Sequence, residues 1–250
     1  MPITTETNNS TITDIDSNIE STDVDLDAIV TAPQLILPYE YADDEHYYFD
    51  EVIVKNKPFY SFVKRAFDFI VCLLALILCA VPMLIIAIII KASDGGPVFY
   101  SQDRLGYKGK NFKLVKFRTM RVDAESSGAQ WSQGDKDPRI TKVGSFLRKT
   151  RLDEIPQLWA CVIGQLSLIG PRPEREIFYN EFEKHVHGFS ERLKIKPGLT
   201  GLAQVSGGYD LRPEEKLAYD LEYIKNRSIW LDIKILFKTV GVVFSHKGAK

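Results

Sequence analysis

The apolar residues of this chain fall into three regimes. Residues 1–33 are dominated by Thr, Ser, Asn, Asp and Glu, with isolated Ile and Val. Such a segment cannot bury enough apolar surface to offset the entropy of ordering it, so it is read as disordered. Tyr39–Tyr48 mixes aromatics with acids and has the character of a docking segment, although no motif identifies a partner. From Ala66 to Lys91 the pattern changes abruptly: only Asp68 interrupts "AFDFIVCLLALILCAVPMLIIAIII" before the lysine. As a helix, about 24 such residues reach ~36 Å, enough to cross a ~30 Å hydrocarbon core. The run has no polar face of the kind a soluble helix keeps, so it is predicted to enter a membrane. Pro82 removes a backbone donor and clashes with the preceding turn, which predicts a kink two-thirds of the way along.

Basic residues flank both ends of this run: Lys55, Lys57, Lys64 and Arg65 before it, then Lys91, Arg104, Lys108 and Lys110 after it. The tendency of cationic flanks to stay cytoplasmic applies to both. A kinked, re-entrant helix satisfies it and a straight span does not, while the length serves either.

After Lys91 the pattern is that of a compact mixed domain. "PVFYSQ" and "NFKLVKFRTM" have strand-like content on either side of the turn-rich "DRLGYKGK" and predict a hairpin. Asp123–Asp137, with Gly128 and Gly134, is predicted to be a mobile loop. Helical patterning follows at Ser145–Thr150, Pro156–Ile163, Arg175–His187, Glu214–Asn226 and Trp230–Phe244. In the last of these, Trp230, Ile233, Phe237 and Val240 recur near helical spacing beside Lys234 and Lys238. That stripe suits a helix at a lipid interface or one facing a core. There is no internal repeat. The expected fold is α+β and mainly helical: an acidic tail over 1–57, a membrane helix over 58–92 kinked at Pro82, and a compact domain over 93–250 with a small β-hairpin and interfacial amphipathic helices.

Charge sharpens the division. The net charge is −1, yet residues 1–57 hold 13 acidic side chains against Lys55 and Lys57, leaving 30 basic and 20 acidic over 58–250. A basic body implies an anionic partner, whether phosphate, membrane surface or nucleic acid. Nucleic acid is disfavoured, because the basic residues are not interleaved with a recognition module. Cys72, Cys79 and Cys161 show no metal-ligand spacing and no disulfide framework, which fits a reducing compartment. The polar, acidic first 50 residues contain no secretory signal. His185, His187 and His246 have no carboxylate partner at ligand spacing and are read as surface residues.

Candidate chemistry centres on "RKTRLDEIPQLW", residues 148–159. Pro156 suits the first turn of a helix, which puts Asp153 and Glu154 at its N-terminus, where exposed N–H groups favour negative charge and depress carboxylate basicity. An ordinary cap would use the same residues. The alternative is a carboxylate nucleophile beside a carboxylate that holds a divalent cation, the equipment of phosphoryl transfer. Arg118, Arg148, Arg151, Arg172 and Arg175 gather around this pair in sequence, and the guanidinium fork matches phosphate oxygens. "LIGPRPE" holds Arg172 between two prolines, a rigid mount for anion binding or a plain helix connection. "KPGLTGLAQV" is a glycine-punctuated loop that could approach a ligand closely, or lie on the surface.

The ordered strings "KRAFDFIV", "FKLVKFRTM", "RKTRLDEIPQLW", "SLIGPRPE", "KPGLTGLAQVSG" and "LDIKILFKT" span roughly Phe59 to Gly248. Together they resemble the bacterial sugar transferase family, the monotopic phosphoglycosyl transferases. The resemblance implies Asp153 as nucleophile and Glu154 as its magnesium-associated partner, with both carboxylates near the ion. It also implies Arg118, Arg148 and Arg172 as phosphate or nucleotide contacts; Arg151 and Arg175, from the same charge cluster, and Gln204, from the glycine-punctuated loop, are taken as further substrate contacts. By the same resemblance the membrane helix is re-entrant, although Val81 precedes Pro82 where family members often have serine. The expected reaction moves a sugar-1-phosphate from a UDP-sugar to undecaprenyl phosphate at the cytoplasmic face of the bacterial inner membrane, with Mg2+ as cofactor. It would open the assembly of an exopolysaccharide, capsule, O-antigen or glycoprotein glycan, ahead of downstream glycosyltransferases. With only the acidic tail before its core, the chain resembles the small form of the family. A nucleotide-sugar hydrolase or phosphatase and a non-catalytic membrane adaptor are the competing expectations.

Overall fold

In a computed structural model, residues 41–126, 137–208 and 211–245 are described. The first 40 residues of the acidic tail, positions 127–136 of the expected loop, and His246 and Gly248 lie outside them. The described elements are β1 (Tyr47–Tyr48), α1 (Pro58–Asp94), β2 (Phe99–Leu105), β3 (Asn111–Phe117), α2 (Lys142–Lys149), α3 (Leu158–Val162), β4 (Ser167–Ile169), α4 (Glu176–Phe182), β5 (Val186–His187), β6 (Gly198–Thr200), α5 (Leu202–Ser206), α6 (Pro213–Asn226) and α7 (Ile229–Ser245), with 3-10 turns at Tyr107–Gly109, Leu152–Gln157 and Phe189–Lys194.

The mainly helical character is as expected, and so is the hairpin. β2 and β3 pair antiparallel from Phe99↔Phe117 to Leu105↔Asn111. The strand continues through Asp103–Leu105, so the turn is only Gly106–Lys110 rather than the whole of "DRLGYKGK". Helix α4 ends at Phe182, short of the expected His187. Val186–His187 instead forms a parallel bridge with Tyr47–Tyr48. The segment 41–57, grouped with the tail by its charge, therefore packs on the domain. Val52 is fully buried, Tyr41 donates to Glu214 at 2.7 Å, and the rings of Tyr41, His185, His46, His187 and Tyr48 stack in succession. His185 and His187 are thus packed aromatics rather than plain surface residues.

Helix α1 runs 37 residues and stays helical through Pro82. Among the described residues it is the one helix long and apolar enough to cross a membrane, and only 11% of its most apolar stretch is buried. Both of its ends pack on the same domain. Near the start, Arg65 donates to the carbonyls of Cys161 and Val162 at 2.7 and 2.6 Å, and buried Asp68 accepts from Ser167 at 2.7 Å. Near the end, Ile86 and Ile90 are buried against Phe117 and Leu147. Between them Ile77, Leu78, Val81 and Leu84 are exposed.

Two glycine strings cross at the heart of the domain. β4 and β6 pair in parallel, Ser167↔Gly198 and Ile169↔Thr200. A Cβ on Gly198 would lie 2.1 Å from the Gly170 nitrogen, and one on Gly201 would lie 2.2 Å from the Gly170 oxygen. The glycines of "KPGLTG" thus serve this backbone crossing. Backbone on both sides cannot yield, so Gly198→Ala should destabilise the fold by about 3 kcal/mol or more. Thermal unfolding checks this, with Gly241→Ala as control, because nothing lies within 4 Å of a Cβ there.

Candidate active site

The site is assembled where three strings converge. Helix α2 ends at Lys149, and Arg151 adopts a left-handed conformation at φ 56° that few non-glycine residues occupy. This reversal carries the chain directly into the 3-10 turn, with Asp153 and Glu154 in its first turn. Beside them runs β3, which ends next to Lys116 and Arg118. Arg172, on the turn between two prolines, reaches Glu154 and donates to its Oε1. A second arginine braces that turn: Arg192 donates from Nη2 to the Arg172 carbonyl at 3.0 Å. Arg192 is itself buried in an ion pair with Asp220 at 2.6 Å.

These residues line a cavity of about 310 Å³. Asp153, Glu154, Arg118, Arg148, Arg151, Arg172, Arg175 and Gln204, the residues singled out from the sequence, all border it. Their situations differ. Arg118 is buried and committed to structure, donating to the Pro97 carbonyl at 2.6 Å and to the Asp94 carboxylate at 2.7 Å. It ties the end of α1 to the start of the hairpin. Arg175 pairs with Glu125 at 3.3 Å. The Gln204 amide is buried with neither its nitrogen nor its oxygen hydrogen-bonded, an arrangement that proteins rarely leave without a ligand or water.

Electrostatics separates the two carboxylates. Asp153 is 7% exposed; burial, and then the charge of Glu154, push its pKa from 3.8 up to about 6, against the pull of Lys116, Arg148 and Arg172. Burial would push Glu154 the same way, but the charge and hydrogen bond of Arg172 outweigh it and hold Glu154 below the usual carboxylate range. The expectation that a helix N-terminus depresses the basicity of both is corrected here. Desolvation of Asp153 exceeds what a short 3-10 turn returns. The result is one firmly ionised carboxylate beside a more basic one that is still mostly ionised at neutral pH. That division suits a nucleophile next to a fixed anion able to hold a cation.

Among the described residues no cluster of three or more His, Cys, Asp or Glu side chains is placed to hold a metal ion. Four carboxylates border the cavity, of which Glu174 and Glu125 pair with Arg104 and Arg175, and the candidate donor set is the adjacent pair Asp153 and Glu154. It fits a magnesium ion that keeps its waters and takes phosphate oxygens, not a closed protein cage.

The family model for bacterial sugar transferases matches residues 59–246. This chain belongs to the bacterial sugar transferase family. Among its relatives, a UDP-N-acetylgalactosamine-undecaprenyl-phosphate N-acetylgalactosaminephosphotransferase of Aeromonas hydrophila is 40% identical over 77% of this chain and 46% of that protein. The UDP-glucose:undecaprenyl-phosphate glucose-1-phosphate transferase of Escherichia coli is 40% identical over 75% of this chain and 41% of that protein. The chain thus spans less than half the length of these two relatives. It covers 90% of the exopolysaccharide production protein ExoY of Sinorhizobium fredii, at 37% identity over 77% of this chain.

Three residues of this candidate site were not legible as such in the sequence. Lys116 projects from β3 into the cavity, and burial, opposed by Asp153 and reinforced by Arg104 and Arg148, lowers its pKa to about 8. Strand alternation separates it from buried Phe117 and could have found it. Arg104 and Arg192 line the same cavity, but only the fold brings them there.

Proposed function

We propose that this chain transfers a sugar-1-phosphate from a UDP-sugar to undecaprenyl phosphate, releasing UMP, in two steps through Asp153. The observation that carries the reading is the opposed pair, Asp153 basic and Glu154 clamped by Arg172, in a basic cavity beside a membrane helix. In the first step a carboxylate oxygen of Asp153 attacks the β-phosphorus. The bond to the oxygen bridging the two phosphates breaks, and UMP leaves with that oxygen. In the second step an oxygen of the lipid phosphate attacks the same phosphorus, the bond to Asp153 breaks, and the carboxylate is regenerated. Magnesium, when bound near Glu154 and Asp153, offsets phosphate charge. Arg148, Arg151, Arg172 and Lys116 supply the remaining positive field for the equatorial oxygens.

The membrane arrangement follows from the same chemistry, because one substrate is soluble and the other embedded. Both ends of α1 dock on one domain, which supports a re-entrant helix with its exposed middle in the lipid and the catalytic domain on the cytoplasmic face. Trp230, Ile233, Phe237 and Val240 of α7 are exposed and would rest at the same interface. The lipid-linked product would then feed glycosyltransferases that build the glycan.

The test is UMP release from a panel of UDP-sugars with magnesium, with and without undecaprenyl phosphate. Lipid-dependent turnover with at least one sugar is expected. Free sugar phosphate without lipid product would make the chain a hydrolase, and no UMP from any donor would leave the adaptor reading. Lys116 adds a pH signature. Raising pH through about 8 removes its charge, so kcat/KM should show an alkaline limb there. Lys116→Arg should move that limb beyond about pH 9, as read from pH–rate profiles of the two proteins.

A further inference from the structure

One wall of the catalytic cavity is apolar and faces the end of the membrane helix. Pro97, Phe99, Met120 and Val122 line it, and Phe99 and Val122 remain 48% and 68% exposed. This wall is continuous with α1. The Phe99 ring stacks on Phe117 at 5.3 Å, and Phe117 is fully buried against Ile86 and Ile90. On the outer side of the same helical arm, Ile85, Ile88 and Ile89 are exposed. An apolar path therefore leads from the lipid-facing helix over the edge of the hairpin to the cavity that holds Asp153. The edge is held in place by Arg118, whose bonds to Asp94 and Pro97 fix the approach of the chain from α1 into β2. Gly96 lets Val122 come close, since a Cβ there would lie 2.8 Å from its Cγ2.

We propose that this wall is the mouth through which the acceptor's polyprenyl chain leaves the cavity, so that Phe99, Met120 and Val122 select for a long isoprenoid. The inference rests on the reaction proposed above and adds where the lipid lies. The occupant is a lipid tail rather than the nucleotide, because these four side chains are apolar and the guanidiniums beside them are already engaged, Arg118 by Asp94 and Pro97 and Arg121 by Asp123. It adjoins the one apolar helix that can hold the tail's remainder.

The experiment compares kcat/KM for undecaprenyl phosphate with that for geranyl phosphate in the same detergent, using the full chain. Wild-type protein should prefer the long acceptor. Val122→Asp, at an exposed position where the fold tolerates a charge, should cut that preference about tenfold, ~1.4 kcal/mol. Phe99→Ala should cut it in the same direction, and Val122→Leu should keep it. An unchanged ratio in both Val122→Asp and Phe99→Ala would overturn the mouth. If wild-type protein turned over neither acceptor, the reaction itself would fall, and the mouth with it.

Discussion

Asp153→Asn should abolish sugar-phosphate transfer, by at least ~10³-fold, and yet yield a more stable protein. The loss follows from chemistry: an amide cannot form the acyl phosphate, and the remaining positive field accelerates only a step that no longer has a nucleophile. The gain follows from burial. In the fold Asp153 binds its proton up to about pH 6, against 3.8 in the unfolded chain, so the ionised carboxylate is the costly form. Stability is therefore lost as pH rises from about 4 through about 6 and stays low above that. At about pH 7.5 the cost is on the order of 3 kcal/mol. The neutral amide introduced by Asp153→Asn would carry no such cost. Thermal unfolding in chelator should show the variant melting higher at about pH 7.5, with the gap closing near pH 4. Equal melting at both pH values would mean that Asp153 is not desolvated as described, and retained turnover above a few per cent would remove it as nucleophile.

Arg192→Met should be the most damaging change away from the dyad. Arg192 and Asp220 are 3% and 1% exposed and face each other at 2.6 Å. Burial already drives the Asp220 carboxyl up to about 6, even with Arg192 pulling it down. Removing the guanidinium leaves a buried carboxylate without its partner, at a cost of about 3–5 kcal/mol. The Arg172 carbonyl also loses its donor, so the mount of the Glu154 partner loosens. Replacing both, as Arg192→Met with Asp220→Leu, should recover most of the stability but not the activity, since Arg172 stays unbraced. A double variant as unstable as Arg192→Met alone would contradict this account; unfolding and transfer assays on the same preparations decide it.

The parts of the fold that local pattern determines were legible. Unbroken apolar composition marked α1, alternation around a glycine turn marked the hairpin, and α6 and α7 fell within a residue of their expected limits. What local pattern does not determine was misplaced. Val186–His187 continued a helical stretch on paper, and only pairing with Tyr47–Tyr48, far earlier in the chain, makes it a strand. The glycines of "KPGLTG" had the flexibility that a ligand loop needs. Their partner is another glycine, Gly170, which sequence alone could not identify. That Asp153, Glu154 and the arginines would gather in one place was readable because charge clustered in short strings, and they do border one cavity. The direction of the Asp153 shift was not, because helix-end electrostatics is a local property and desolvation a tertiary one. Arg104 and Arg192 were out of reach for the same reason: the cavity takes them from separate parts of the chain, whereas Lys116 was open to an argument from strand alternation.

In the proposed reaction Asp153 carries the sugar phosphate between donor and acceptor. Intact-mass measurement of the protein incubated with its UDP-sugar and magnesium, with no lipid phosphate, tests it directly. The expected result is an adduct of the sugar-phosphate mass less one water, mapped to Asp153, discharged on adding undecaprenyl phosphate and absent from the Asp153→Asn variant. Lipid-dependent turnover with no such adduct, or an adduct that persists in that variant, would contradict it.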